Sequence, residues 1–244
     1  MRCACLADIH GNLEALNAVL QDAGEQKIDT FLCLGDIVGY GPDPHACITL
    51  VQKHAMQCIH GNHELGVLDI IDVADFSYLA RESTFWTRRQ LDLASTCFIE
   101  SLPATLQCED ILAVHGSISG PEQYLCNDTE RTQAMEDFTA KFPKKQYFLY
   151  GHTHCRHLYG SDGSTVVPEH NEVIALKHNM RYLLNPGSVG QPRDLDPRSC
   201  YAVLDTKTQT WTQRMLEYPI DAVYNKILKN KLPVELAIRL KKGK

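Results

Sequence analysis

The chain has 244 residues, 44 % hydrophobic and 22 % charged, with a formal net charge of −6; this is the balance of a soluble globular protein with a sizeable core, long enough for one large α/β unit. No apolar run approaches the length of about 20 residues that a membrane-spanning helix needs, and the opening MRCACLADIHG turns polar too soon for a signal peptide, so a cytoplasmic protein is expected. Residues 221–244 hold seven Lys/Arg against Asp221 and Glu235, a net +5 that leaves −11 on the remainder, and an acidic body argues against DNA and other long polyanions as partners.

In chain order, the apolar runs Cys3–Ala7, Thr30–Leu34 and Met56–Ile59 predict strands, with helical patterns between them. Asn12 is placed to cap a helix whose Leu13, Leu16, Val19 and Leu20 share one face. Asp43 and Pro44 form an N-cap and first-position pair for a second helix running to His54. Strand, helix, strand, helix, strand is the pattern of parallel βαβ units. Residues 77–101 read as helical and are stopped by Pro103, and a further helix is expected from Thr129 to Ala140. Ile111–Val114, Gln146–Tyr150 and Arg181–Leu184 are further strands.

The later strand-like runs Val173–Leu176, Tyr182–Leu184, Tyr201–Leu204 and Thr210–Met215, with Asp205-Thr-Lys-Thr as a hairpin turn, suggest a second, antiparallel sheet packed on the first. Two helical patterns split by Pro233 close the chain. Their basic residues read as a solvated face, although such a tail could also pair chains. No repeat, low-complexity stretch or linker divides the sequence, so residues 1–244 are expected to form one domain with a helical tail from about 219. The ten cysteines include no CxxC, and Cys3, Cys5, Cys33, Cys58 and Cys200 lie in strand-like runs as small hydrophobes, so neither disulfides nor a zinc ribbon is expected.

Chemistry gathers at the strand ends, where α/β sheets keep their sites. Asp8 and His10 follow the first strand, Gly35-Asp36 the second, Gly61-Asn62-His63 the third. His115 follows the fourth, and Gly151-His152-Thr153-His154 the fifth. In Asp8-x-His10 and His152-x-His154 the intervening residue lets two side chains of an extended backbone point the same way. Asp and His suit Mn, Fe, Zn or Co, and this many ligand-type residues exceed what one ion with an open position can use. The plainer readings are an Asx turn at Asp8, a βα turn with an N-cap at Asp36 and a polar turn at His152. The agreement of all five blocks weighs against them. His45, His54, His60, His157, His170 and His178 match no such position and read as surface or core residues, with His157 near the site in sequence.

In this order, Asp8-x-His10, Gly35-Asp36, Gly61-Asn62-His63-Glu64, His115 and Gly151-His152-x-His154 resemble the calcineurin-like metallophosphoesterases over roughly residues 2–216. Gly39-Tyr40-Gly41-Pro42 and the stretch from Asn185 to Asp194 resemble the small single-domain prokaryotic phosphodiesterase-like members. The resemblance implies an α/β fold, a four-layer αββα sandwich of two mixed β-sheets flanked by helices, with a dinuclear metal site at the carboxyl ends of the strands. It implies that Asp8, His10 and His154 hold one divalent transition-metal ion, Asn62, His115 and His152 a second, and that Asp36 bridges them. Mn or Fe rank ahead of Zn, Ni or Co.

Two metal ions, less the charges of Asp8, Asp36 and a bridging hydroxide, would leave about one positive charge for a phosphate, which an Asp at position 62 would cancel. The resemblance also implies that His63 is no ligand but a catalytic residue facing the phosphate, able to protonate a leaving oxygen. Glu64 stands where many members have Asp. Tyr40, Arg193 and Arg198 lie on loops that could form the rim, and Tyr40 and Arg193 are candidate substrate binders. The expected function is hydrolysis of a small phosphodiester or phosphomonoester. The alternatives are a non-catalytic metal-binding scaffold on the same fold, a protein phosphatase and a diadenosine tetraphosphatase. Retention of His63 and every ligand position favours the enzyme.

Overall fold

The computed structural model describes all 244 residues. The first half runs β1 (Arg2–Leu6), α1 (Leu13–Glu25), β2 (Thr30–Cys33), α2 (Pro44–Lys53), β3 (Gln57–Cys58), α3 (Asn62–Val67), α4 (Tyr78–Arg88) and α5 (Leu93–Glu100). It continues through β4 (Leu106–Cys108), β5 (Ile111–Ala113), α6 (Asp128–Lys141), β6 (Tyr147–Leu149), β7 (Arg156–Gly160), β8 (Thr165–Val166) and β9 (Val173–Ala175). Then come β10 (Tyr182–Pro186), β11 (Ser199–Asp205), β12 (Thr210–Leu216), α7 (Ile220–Lys229) and α8 (Val234–Lys242).

The strands form two six-stranded mixed sheets, ordered β3-β2-β1-β11-β12-β9 and β4-β5-β6-β10-β7-β8. The expected division of strands is corrected here. Of the four late strands, β9, β11 and β12 extend the first sheet, and only β10 lies in the second. β11 pairs with the free edge of β1, Arg2 opposite Asp205 and Cys5 opposite Ala202, and the β11–β12 hairpin turns where Asp205-Thr-Lys-Thr predicts it. The second sheet is built around parallel β5, β6 and β10 instead. Alternation along a strand tells which face is apolar, but not which edge it joins.

That alternation sorts the core into layers. Cys3, Cys5 and Ala7 point between the sheets with Leu32, Leu149, Leu184 and Trp211. Ala4 and Leu6 point the other way, into the cluster beneath α1, α2, α7 and α8. Leu112, Phe148 and Leu183 meet Phe138 and Met135 of α6 on the far side. The result is the helix–sheet–sheet–helix sandwich, and all ten cysteines are free. No helix is long and apolar enough to cross a membrane.

The structure refines three local expectations. The helical stretch over 77–101 is two helices, α4 and α5, because the Asp92 carboxylate accepts from Ser95 N at 2.8 Å and starts a new helix. Asp43 precedes Pro44 of α2 as expected, but its carboxylate does not cap; it accepts from Lys226 Nζ at 2.8 Å. The basic tail is not a merely solvated face. Val223, Ile227, Leu236 and Leu240 are buried in the same cluster as Leu16 and Val19, and Lys226 also pairs with Glu14 at 2.7 Å. Leu228, Val234 and Ile238 remain exposed on the tail.

Candidate metal centre

Five parallel strands, three from one sheet and two from the other, deliver their carboxyl ends to one seam. Asp8 and His10 leave β1, Asp36 leaves β2, and Asn62 and His63 open α3 just beyond β3. His115 leaves β5, and His152 and His154 leave β6. All eight are buried. The backbone that aims them is not extended, which corrects the expectation for the two x-spaced pairs. Asp8 (φ 54°), His10 (47°), Asp36 (53°), Tyr40 (54°), His152 (63°) and His154 (59°) all lie in the left-handed region. Non-glycine residues take up that region at a cost, and a concentration of them marks a functional constraint.

Neighbouring loops hold these turns in place. Ser188 Oγ donates to Asp8 O at 2.8 Å, and Asn185 Nδ2 to Gly151 O at 3.0 Å, so the Asn185–Asp194 stretch braces both. The Glu64 carboxylate accepts from Asp36 N, Val38 N and Gly61 N at 2.7 to 3.0 Å, tying the second and third strand ends together. Gly61 is required by close approach: a Cβ there would lie 2.2 Å from Asp36 Oδ1.

Donor atoms of Asp8, His10, Asp36 and His154 all fall within 4.8 Å of one another, and so do those of Asp36, His115 and His152. The two groups share Asp36. Asn62 Oδ1 joins the second group, 3.1 Å from His115 Nε2. Imidazole tautomers follow from partners that can only accept. His10 Nδ1 donates to Val38 O, His115 Nδ1 to Leu34 O and His154 Nδ1 to Gln191 O. His152 is reversed: its Nε2 donates to Glu122 O at 3.1 Å, leaving Nδ1 as the lone-pair nitrogen.

These protons test whether the residues fit a cation. Burial pushes the His10 and His154 imidazoles well below the usual histidine range, so both are neutral. Their Nε2 lone pairs then face each other 3.1 Å apart, with no proton between them. Two buried acceptors in that position repel, and a cation between them resolves the conflict. The donor set therefore fits a divalent ion.

Around Asp36 the balance differs. Burial alone would raise its carboxyl, but His115, bonded through Nε2 at 3.2 Å, prevails and holds it well below the usual carboxylate range. His115 is raised to about 9 against its own burial by the same pair. Asp8 is pushed up to about 7 by burial.

Above the donors lies a cavity of about 800 Å³ lined by Asp36, Asn62, His63, His152 and His154, and also by Tyr40 and Arg193. His63 lies between the donors and this space, its ring centre 4.6 Å from that of Tyr40 and 4.9 Å from that of His10. Burial lowers its pKa to about 4, and its Nδ1 has no partner. The ring rests on Gly39 (φ 88°), where a Cβ would come within 2.2 Å of Nδ1. Arg193 Nη2 donates to Tyr40 Oη at 3.3 Å and to Gln191 Oε1 at 3.1 Å.

Arg198 does not reach the rim; it is forked onto Asp196. His157 sits on β7, bonded to Thr165 Oγ1 at 2.7 Å, and lines no part of the cavity. Phe76, Tyr78, Glu122, Tyr124 and Arg239 do line it, and sequence reasoning passed over them all. None lies in a motif. The only signal was the excess of aromatic residues near 76–78 and at 124.

Fold and site together define a two-sheet α/β protein with Asp and His donors clustered at the meeting point of its parallel strands. The chain belongs to the calcineurin-like phosphoesterase superfamily, whose domain model matches residues 1–209. An uncharacterized protein of Methanocaldococcus jannaschii is 34 % identical over 247 residues, which span 99 % of this chain and 98 % of that one. The crystal structure of a metallophosphoesterase from Sphaerobacter thermophilus has a TM-score of 0.89 at 34 % identity, covering 100 % of this chain and 99 % of its own. A hypothetical protein of Pyrococcus horikoshii shares the fold, with a TM-score of 0.80 at 21 % identity over 100 % of this chain and 98 % of its own.

Proposed function

We propose that this protein hydrolyses phosphate esters of small substrates with two divalent transition-metal ions. Asp8, His10 and His154 would hold one ion, Asn62, His115 and His152 the other, and Asp36 both. The observation that carries this reading is the pair of donor groups sharing Asp36 beneath one cavity. When bound, such ions would supply Lewis acidity to the phosphoryl group and activate the attacking water.

The chain's own residues do the rest. Asn62 offers a neutral oxygen, so the site keeps positive charge for the phosphate. His63, outside both donor groups, faces the cavity and donates to the leaving oxygen. It is neutral in the free protein, and an anionic ester beside it favours the protonated ring. Tyr40 and Arg193 orient the substrate from the side, and the burial of the donors keeps bulk water away from them.

Chelated protein given back Mn, Fe, Zn, Ni or Co one at a time, with metal content measured, should bind up to two ions per chain and hydrolyse aryl phosphate esters. Asp36→Ala should lower both the stoichiometry and the rate. If metal content never exceeds one under saturation and Asp36→Ala leaves it unchanged, the two-ion reading is wrong.

A further inference from the structure

The family model ends at residue 209, yet one wall of the cavity is formed by Arg239, from the tail helix α8. Its guanidinium carbon lies 6.0 Å from the Tyr40 ring centre, and that of Arg193 lies 5.8 Å from the same ring. The Tyr40 ring in turn lies 4.7 Å from His10 and 4.6 Å from His63. One aromatic ring therefore touches both a pair of guanidinium groups and two histidines of the candidate metal centre.

The position of Arg239 is built into the fold. Its Nε donates to Lys244 O at 2.7 Å. Gly243, left-handed at φ 59°, ends α8 and accepts through its carbonyl from Leu195 N at 2.8 Å. A Cβ on Gly243 would meet the Asp196 backbone at 2.6 Å. The tail is thus latched onto the loop that carries Arg193, and the two arginines are presented as a fixed pair.

No Asp or Glu side chain pairs with either arginine. Arg193 bonds Tyr40 and Gln191 and keeps a buried Nε without a partner, while Arg239 bonds through Nε to the main-chain oxygen of Lys244 and has no other hydrogen-bond partner. Asp72, Asp75 and Glu122 also line the cavity, but none of them bonds either guanidinium. Burial and the like charge of Arg193 both work against the charged form of Arg239. Two like charges held together with no acidic side chain on either repel, and an oxyanion between them offsets the cost. The space exceeds what one phosphate needs, and Tyr78 and Tyr124 present partly exposed rings that suit a flat, base-like group.

We propose that Arg239 and Arg193 bind a second oxyanion of the substrate, making the substrate class a nucleotide-sized phosphate ester that carries a further phosphate away from the scissile one. This rests on the phosphoesterase reading above. Arg239 is then a specificity-determining residue supplied from outside the family domain.

The test compares thymidine 5′-(p-nitrophenyl phosphate) with its 3′-phosphorylated counterpart, which release the same leaving group and differ by one phosphate. The parent protein should favour the 3′-phosphorylated ester by about tenfold or more in kcat/KM, as expected for hydrogen bonds to a charged group. Arg239→Gln should collapse that ratio towards one, and Arg239→Lys should restore part of it. A ratio is insensitive to how much of each variant folds.

Calorimetry on chelated protein gives an independent readout. The parent should bind thymidine 3′,5′-bisphosphate about tenfold more tightly than the 5′-monophosphate, and Arg239→Gln should not. Hydrolysis with no preference, or with a preference that survives Arg239→Gln, overturns the second-anion site. Arginine-dependent binding without hydrolysis under any metal supports the pair and overturns the phosphoesterase reading instead.

Discussion

His63 sits among the clustered donors and belongs to neither donor group: its ring is buried against Gly39 and Tyr40, and its Nδ1 has no partner in the protein. A group so placed matters most when the departing oxygen is strongly basic. His63→Ala should therefore slow an alkyl phosphate ester by about 10²–10⁴-fold and a nitrophenyl ester far less. Matched alkyl and aryl esters at saturating metal measure this, and equal losses would leave His63 only an electrostatic role.

His157 illustrates a different use of the same residue type. Burial, aided by Arg131, lowers its pKa to about 4. The unfolded chain, with the usual value near 6.5, binds more protons between those limits, so this residue subtracts stability as pH falls from about 6.5 to about 4 and contributes nothing above. Urea melts across that range should show the parent losing stability relative to His157→Gln as pH drops. A constant difference between the two would mean that His157 does not titrate in this way.

Among the elements, the tail helices were the least accurately anticipated. Read alone, α7 and α8 are basic and amphipathic, which suits a solvated face. In the fold their apolar sides complete the cluster over α1 and α2, with Leu236 1 % exposed. Leu236→Ala should destabilise the protein by about 2–5 kcal/mol, the range for a buried leucine truncated in a packed core. A loss well under about 1 kcal/mol in urea melts would mean that the tail does not dock. The ion pairs from Lys226 to Glu14 and Asp43 are partly exposed, so they fix the direction of α7 more than they stabilise it.

At the scale of the whole molecule, the site is where two sheets meet, so whatever fills it holds both halves. The facing Nε2 atoms of His10 and His154 and the shared Asp36 carboxylate leave the free protein with repulsion that a cation would remove. An ion that binds only the folded state stabilises it by mass action, about 4 kcal/mol at a thousandfold excess over Kd. Chelation should lower the melting temperature by several degrees, and Mn should restore it. Identical melts with and without metal would remove the stabilising role assigned to this centre.

The sequence by itself determined the fold class and which strand-end residues the fold gathers into one cluster. Each donor block is short and sits directly after an apolar run, so residue type and strand-end position were both local. The helix at Asn12 was legible for the same reason, since its cap and apolar face lie within a few residues. What only the tertiary structure decided was non-local. β11 joins β1 through hydrogen bonds across some 200 residues of chain, which no periodicity reports. The left-handed turns at Asp8, His10, His152 and His154 are imposed by contacts with Ser188, Asn185 and the opposite sheet, not by their own preferences. Arg239 looks like any lysine or arginine of a basic helix until α8 is latched to the loop beside Arg193, because a cavity wall is made by convergence, and convergence is not written in any one segment.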